Sequence, residues 1–437
     1  MLPQLFSRHR RRWATLGLAA VSAVAMLAAG CAPTATSQQI GKVVLIAKPT
    51  FVKLWDTQVR LDGDETLTKL ALTGDTLHAI TSKNFDRALA ADSGSPLYLN
   101  QITSADDSIV GLPITMGDHI AYATSHSVEI YNLDGTLFKS IPLDTAVTSP
   151  PSGAHGIVFV GVNDGGGRLS AIDITKDYSP VVWQVMSFGR VYGSAAVSGH
   201  SVWFGSEDGS VRAVSFDDIA LWPLLDENKF ASGGAITGDV KVDARNVYFS
   251  SSDGSLYCVG RESGKLQWRF FTGLPLNTGP DVTDTTVYQY VPNTGVVAID
   301  KSYTVTLSGS DSKIVSDAPF HPARWTAADA VRFLSEDAHY AYLVGKDNSL
   351  MAMDKKTGEL AFTSLRKDLI AFAADKTGTM IYAATAKGLV LAIRPATVPG
   401  NYGELVSAQP SIALPSNLQS SRPPAEHSLI AAADPQR

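Results

Sequence analysis

Apolar and polar positions alternate in short runs along most of this chain, and the runs recur about eight times. Two copies show the unit whole: Asn246 to Trp268, NVYFSSSDGSLYCVGRESGKLQW, and His339 to Phe362, HYAYLVGKDNSLMAMDKKTGELAF. Each has a first run apolar at alternate positions, a tight turn, and a second run carrying a small residue. A glycine and then a large aromatic follow. Period-two alternation marks a half-buried strand. The turn dipeptides Asp208-Gly209, Asp253-Gly254, Asp347-Asn348 and Lys387-Gly388 reach the positive φ that two-residue hairpins need. Successive first runs lie roughly 37 to 54 residues apart, which suits a four-stranded blade. The pattern therefore predicts an all-β chain forming a single β-propeller of eight four-stranded blades.

Two columns repeat with the blades. The second run centres on Ala88, Ile130, Ala171, Ala213, Cys258, Ala298, Ala352 and Ala392, a mostly small set suited to close packing between neighbouring sheets. In this register Cys258 fills an alanine slot and reads as a small apolar filler. The later column is aromatic: Tyr98, Phe138, Trp183, Trp222, Trp268 and Phe362. At repeat spacing these residues read as blade-to-blade packing rather than a ligand platform. The eighth copy, ending near Arg394, lacks its aromatic strand. Lys42 to Trp55, KVVLIAKPTFVKLW, is expected to supply it from the N-terminal side, with Trp55 as the missing aromatic. Such a ring, spanning 42–394, leaves no open edge at its closure.

Three stretches depart from the rhythm. Residues 31–41 read as a polar tether, and 395–437, rich in Pro, Ser and Ala, as a disordered tail. Within 301–337, the segment WTAADAVRFLSE (325–336) predicts a short helix on a rim insertion, with Thr326 and Asp329 as a capping pair. Trp325, Arg332 and Phe333 are its candidate partner-binding residues.

The first thirty residues stand outside the fold. Arg8, Arg10, Arg11 and Arg12 precede an apolar stretch from Ala14 to Ala29, and the segment ends Leu27-Ala28-Ala29-Gly30-Cys31. This reads as a lipoprotein signal peptide with Cys31 as the lipidated residue; an ordinary signal peptide is the plainer alternative. The apolar run is shorter than the ~20 residues a membrane-crossing helix needs. The Arg11-Arg12 pair permits twin-arginine export, without the apolar pair that usually follows it. Removing this leader leaves 32 basic against 42 acidic side chains, a net charge of −10. An acidic chain without basic runs excludes nucleic acid as the expected partner. Membrane attachment would then come through the N-terminal lipid. With Cys31 acylated, Cys258 has no partner for an intramolecular disulfide.

The runs AMDKKTGELAF (352–362) and ESGKLQW (262–268) resemble the repeat of pyrroloquinoline-quinone-type propellers, Ala-x-Asp-x-x-Thr-Gly-x-x-x-Trp. That superfamily serves both enzymes and non-enzymatic scaffolds. Blade pattern, length and lipidation signal together resemble the propeller lipoproteins of the outer-membrane β-barrel assembly machinery. The resemblance implies a lipid-anchored scaffold at the outer membrane, facing the periplasm. It would bind protein partners, with no cofactor and no catalytic residue. The alternative is a quinone- and Ca²⁺-dependent dehydrogenase, which needs oxygen ligands for the metal and a catalytic Asp. Many such enzymes carry a disulfide between adjacent cysteines, which this chain cannot form. A surface lipoprotein binding glycans or another partner is a third reading. The nine dispersed histidines show no zinc spacing. Asp62-Gly63-Asp64-Glu65 reads as a solvated turn, and Gly165-Gly166-Gly167 joins strands with no helix to cradle a phosphate.

Overall fold

The computed structural model describes residues 45–46, 51–217, 219–222, 230–302, 322–396, 404–405 and 411–412. The leader, Cys31, the tether, residues 303–321 and most of the tail lie outside them. Within Phe51–Pro395 the chain builds eight antiparallel sheets in succession, the blades of a propeller. Blade 1 is Leu67–Thr73, Thr76–Thr81, Phe85–Ala90 and Pro96–Gln101, each strand pairing with the next. The innermost strands of successive blades pack against one another around a central axis. The alternating runs are therefore the second and third strands of each blade, and the aromatic lies on the outermost one.

Ring closure follows the sequence expectation. Phe51–Gln58 pairs antiparallel with Leu389–Pro395 and supplies the outermost strand of blade 8, with Trp55 opposite Ala392. The start of the ring thus locks onto its last blade and closes the circle. Glu404–Leu405 adds a short pairing on the same strand, opposite Val52 and Lys53.

The helix expected over 325–336 is not there. Trp325–Ala327 is the outermost strand of blade 6, and Ala330–Glu336 the innermost strand of blade 7. The Thr-x-x-Asp spacing that suggests a cap instead spans the link between two strands. Trp325 stands opposite Ala298, so it is the aromatic of blade 6, only 7% exposed.

The two columns meet across the ladder. Ala88 pairs with Tyr98, Ala171 with Trp183, Ala213 with Trp222, Cys258 with Trp268 and Ala352 with Phe362. Each of these ladders shifts register immediately beyond the pair, a bulge that strengthens the local twist. Blade 2 departs from the rule. Its column residue is the larger Ile130, which pairs with Lys139 across the bulge, while Phe138 is 45% exposed and stacks on His119 at 4.3 Å.

Eight hydrophobic clusters hold the described residues together, one in each seam. The cluster between blades 5 and 6, for example, gathers Tyr248, Leu256, Cys258 and Trp268 with Leu276, Val287, Val297 and Ile299. Each such side chain contributes about 1.5–3 kcal/mol by leaving water. The placement of Trp325 makes a direct prediction. Trp325→Ala should lower unfolding stability by about 3–5 kcal/mol, as for other buried large-to-small changes. Chemical denaturation measures this; a change within about 0.5 kcal/mol, typical of an exposed loop residue, would remove Trp325 from the core.

Candidate functional site

The residues singled out by sequence divide by location. Tyr98, Trp183, Trp268 and Phe362 sit in seams, as does Trp325. Trp222 lies on the outermost strand of blade 4. Phe333 stacks on Tyr288 at 4.2 Å within the seam of blades 6 and 7. Arg332 stands on the innermost strand of blade 7 and faces the channel, its Nη2 donating to Phe372 O at 3.1 Å. Trp325, Arg332 and Phe333 therefore belong to blades and do not make a rim surface of their own. Cys258 is fully buried, and burial pushes its thiol well above the ordinary range, so it is a packing residue.

One constellation has the look of nucleophilic chemistry. Thr73 Oγ1 lies 2.6 Å from His78 Nε2, and His78 Nδ1 lies 2.7 Å from Asp86 Oδ2. Tyr122 OH donates to the same Asp86 oxygen at 2.6 Å. This is the hydroxyl–imidazole–carboxylate order of a hydrolytic triad. However, His78 and Asp86 are both 0% exposed and Tyr122 is 1% exposed, so no substrate reaches them. The cluster occupies the seam of blades 1 and 2, where the apolar cluster is reduced to six residues. It acts as a buried polar pin, each member bonded to the next, with Asp86 Oδ1 left over.

The accessible chemistry lies in the central channel. Three connections between an outermost strand and the next innermost strand stack backbone on backbone. A Cβ on Gly193 would lie 2.0 Å from Gly238 O, and one on Gly238 would lie 2.1 Å from Gly279 N. Only glycine allows that approach. These connections and the innermost strands they lead into line a cavity of about 410 Å³. Into it come Asp239, Lys241, Asp281 and Arg332. Lys241 Nζ is 3.0 Å from Asp239 Oδ2, and Asp239 Oδ1 accepts the Ser194 N–H at 2.9 Å. Burial pushes the Asp281 carboxyl up to about 6; Lys241 and Arg332 oppose that rise and Asp239 adds to it. At the other mouth the charges are closed into pairs, Lys301 with Asp243 and Lys355 with Glu336, each at 2.8 Å.

Sequence reading missed this site because its residues lie on strands as short as Lys241–Val242 and Asp281–Val282, too short to show a period. A signal was present in Tyr192-Gly193, Thr237-Gly238 and Thr278-Gly279, which recur at blade spacing. Pyrroloquinoline quinone carries three carboxylates, and here it would meet Asp239 and Asp281 as well as Lys241 and Arg332. Among the described residues no three His, Cys, Asp or Glu side chains converge as a metal site. The Asp62–Glu65 stretch is a turn: Asp64 pairs with Lys83 at 2.6 Å and Glu65 with Arg87 at 2.9 Å.

On the same rim as the cavity mouth, Phe188 is 71% exposed and holds φ +59°. A bulky residue in the left-handed region is an outlier that surrounding structure must enforce. The Arg212 guanidinium lies 5.6 Å from its ring centroid, and Met186, two residues before it, is also exposed.

The eight-bladed ring, with an outermost-strand aromatic opposite a small residue in seven blades, defines a quinoprotein-type β-propeller. Residues 87–302 and 252–399 match the family described as outer membrane protein assembly factor BamB, and the chain belongs to that family. The crystal structure of BamB from Moraxella catarrhalis superposes with a TM-score of 0.60 at 16% identity, covering 80% of this chain and 100% of that one. The computationally designed Ika8 protein superposes with a TM-score of 0.55 at 14% identity, covering 77% of this chain and 100% of that one. At these identities the likeness is one of fold. No curated protein matches the chain.

Asp281 sets a pH dependence. Its folded-state pKa is raised from 3.8 to about 6, so the folded protein binds the extra proton and stability falls as pH rises through that window. Asp281→Asn should match the parent's Tm below the window and exceed it above. Equal Tm values for the two proteins at all pH values would contradict the partly desolvated placement of this carboxyl.

Proposed function

We propose that this protein is a non-enzymatic scaffold, held at the outer membrane by lipid on Cys31 and facing the periplasm, that binds protein partners during assembly of outer-membrane β-barrels. The observation that carries this reading is the BamB family match running through most of the ring; the Arg-rich, then apolar stretch ending at Cys31, which reads as a lipoprotein leader, supports it. The fold supports it physically. A closed propeller is rigid, and its rims present fixed loops to a partner without reorganisation. An exposed aromatic beside an arginine, as at Phe188 and Arg212, is the kind of anchor that dominates protein interfaces. Under this reading the protein works without quinone or metal.

Two experiments test it. Cys31→Ala should move the protein from the membrane to the soluble periplasmic fraction; retention in the membrane would overturn the lipid anchor. A photo-crosslinking residue at Phe188 in the native membrane should capture components of the barrel-assembly machinery, and Phe188→Ala should weaken their co-purification at least tenfold. Capture of none of them, or a protein that oxidises alcohols when given Ca²⁺ and the quinone, would overturn the scaffold reading.

A further inference from the structure

The channel cavity has a charge balance that narrows what it can hold. Asp239 and Asp281 stand against Lys241 and Arg332, so the lining is neutral overall. A cation entering it meets Lys241 and Arg332, and an anion meets Asp239 and Asp281. A neutral ligand incurs neither repulsion. Polar residues remain available: Asp281, Asn277 and Tyr290 all line the cavity. An apolar guest would bury these groups unsatisfied, at about 1–3 kcal/mol each. The cavity therefore favours a guest that both donates and accepts hydrogen bonds at many points.

We propose that the cavity is a binding site for a neutral polyhydroxylated ligand, a sugar unit of one or two rings. Each hydroxyl donates and accepts, so it serves Asp281 as donor and Asn277 or Lys241 as acceptor. Tyr192 and Tyr290 line the same cavity and bring aromatic rings suited to the less polar face of a sugar. The volume of about 410 Å³ lies at the lower end of the range for ligand pockets and suits a guest of this size. The walls are preformed, because the stacked connections at Gly193, Gly238 and Gly279 leave no room to collapse inward. Phe188 does not line this cavity, so sugar binding there is separate from protein docking on the rim.

Saturation-transfer NMR on the full mature chain tests this with glucose, N-acetylglucosamine, cellobiose and chitobiose as probes. At least one should give saturable transfer, with Kd on the order of 1 mM or tighter. Asp281→Asn should weaken that probe at least tenfold, and Tyr290→Phe should weaken it measurably, while Phe188→Ala leaves it unchanged. Asp281→Asn removes a charge at a partly buried position and is expected to fold, so its result is readable. No transfer from any of the four probes, or binding unaffected by Asp281→Asn, would overturn the proposal. Loss of sugar binding in Phe188→Ala would also overturn it, by placing the ligand on the rim.

Discussion

One contact recurs at several seams of the ring: an aromatic on the outermost strand of one blade seated against a turn of the next, a glycine turn at three of them. Trp55 lies where a Cβ on Gly94 would come within 2.5 Å of its ring, and its Nε1 donates to Ala91 O at 3.2 Å. Trp325 repeats the arrangement with Gly358 and Lys355 O, the latter at 2.9 Å. Trp183 donates to Phe216 O at 2.6 Å. The accepting residue is itself fixed by its own blade: the N–H groups of Ala91, Phe216 and Lys355 bond to Asp75 O, His200 O and His339 O. One turn residue is thus held by its own sheet and grasped by its neighbour. The small column follows from the same constraint, because a bulky residue opposite the aromatic would lift the ring out of its seat. Cys258 is tolerated for that reason and has no chemistry to perform.

The seam of blades 1 and 2 shows how the contact can be varied. Tyr98 still lies over Gly135, and Asn100 Nδ2 donates to Gly135 O at 2.7 Å, but the indole bond is missing. Inside that seam Thr73, His78, Asp86 and Tyr122 replace much of the apolar filling. A buried network fixes geometry more narrowly than packing does, and this one leaves Asp86 Oδ1 without a hydrogen bond. It resembles a catalytic relay only when its burial is ignored.

What was legible in the sequence follows from period and size. Second and third strands are buried at nearly every position, and their apolar runs recur with the blades, so blade count, columns and ring closure through Trp55 could be read directly. Trp325 was misread because residues 303–321 separate it from its blade, and Thr326 and Asp329 fall at capping distance by coincidence of a strand link. The channel was illegible for a different reason. Lys241 and Asp281 each begin a two-residue strand, and only the packing of three successive blades brings them to Arg332, distant in sequence but lining the same cavity. Repetition records packing. A site made where unlike blades meet leaves no repeat to find, and the rim aromatic Phe188 likewise shows itself only by its exposure and its backbone.

The seam contact is tested most directly by a double-mutant cycle on Trp55 and Gly94, the pair that closes the ring. Trp55→Ala, Gly94→Ala and the double variant would be compared by equilibrium unfolding. If the ring seats on the glycine as described, each single change removes the same interaction, and the double variant should be less destabilised than the sum by about 1–3 kcal/mol. Strict additivity would mean that the tryptophan and the glycine turn act independently, and the account of how this propeller closes would be wrong.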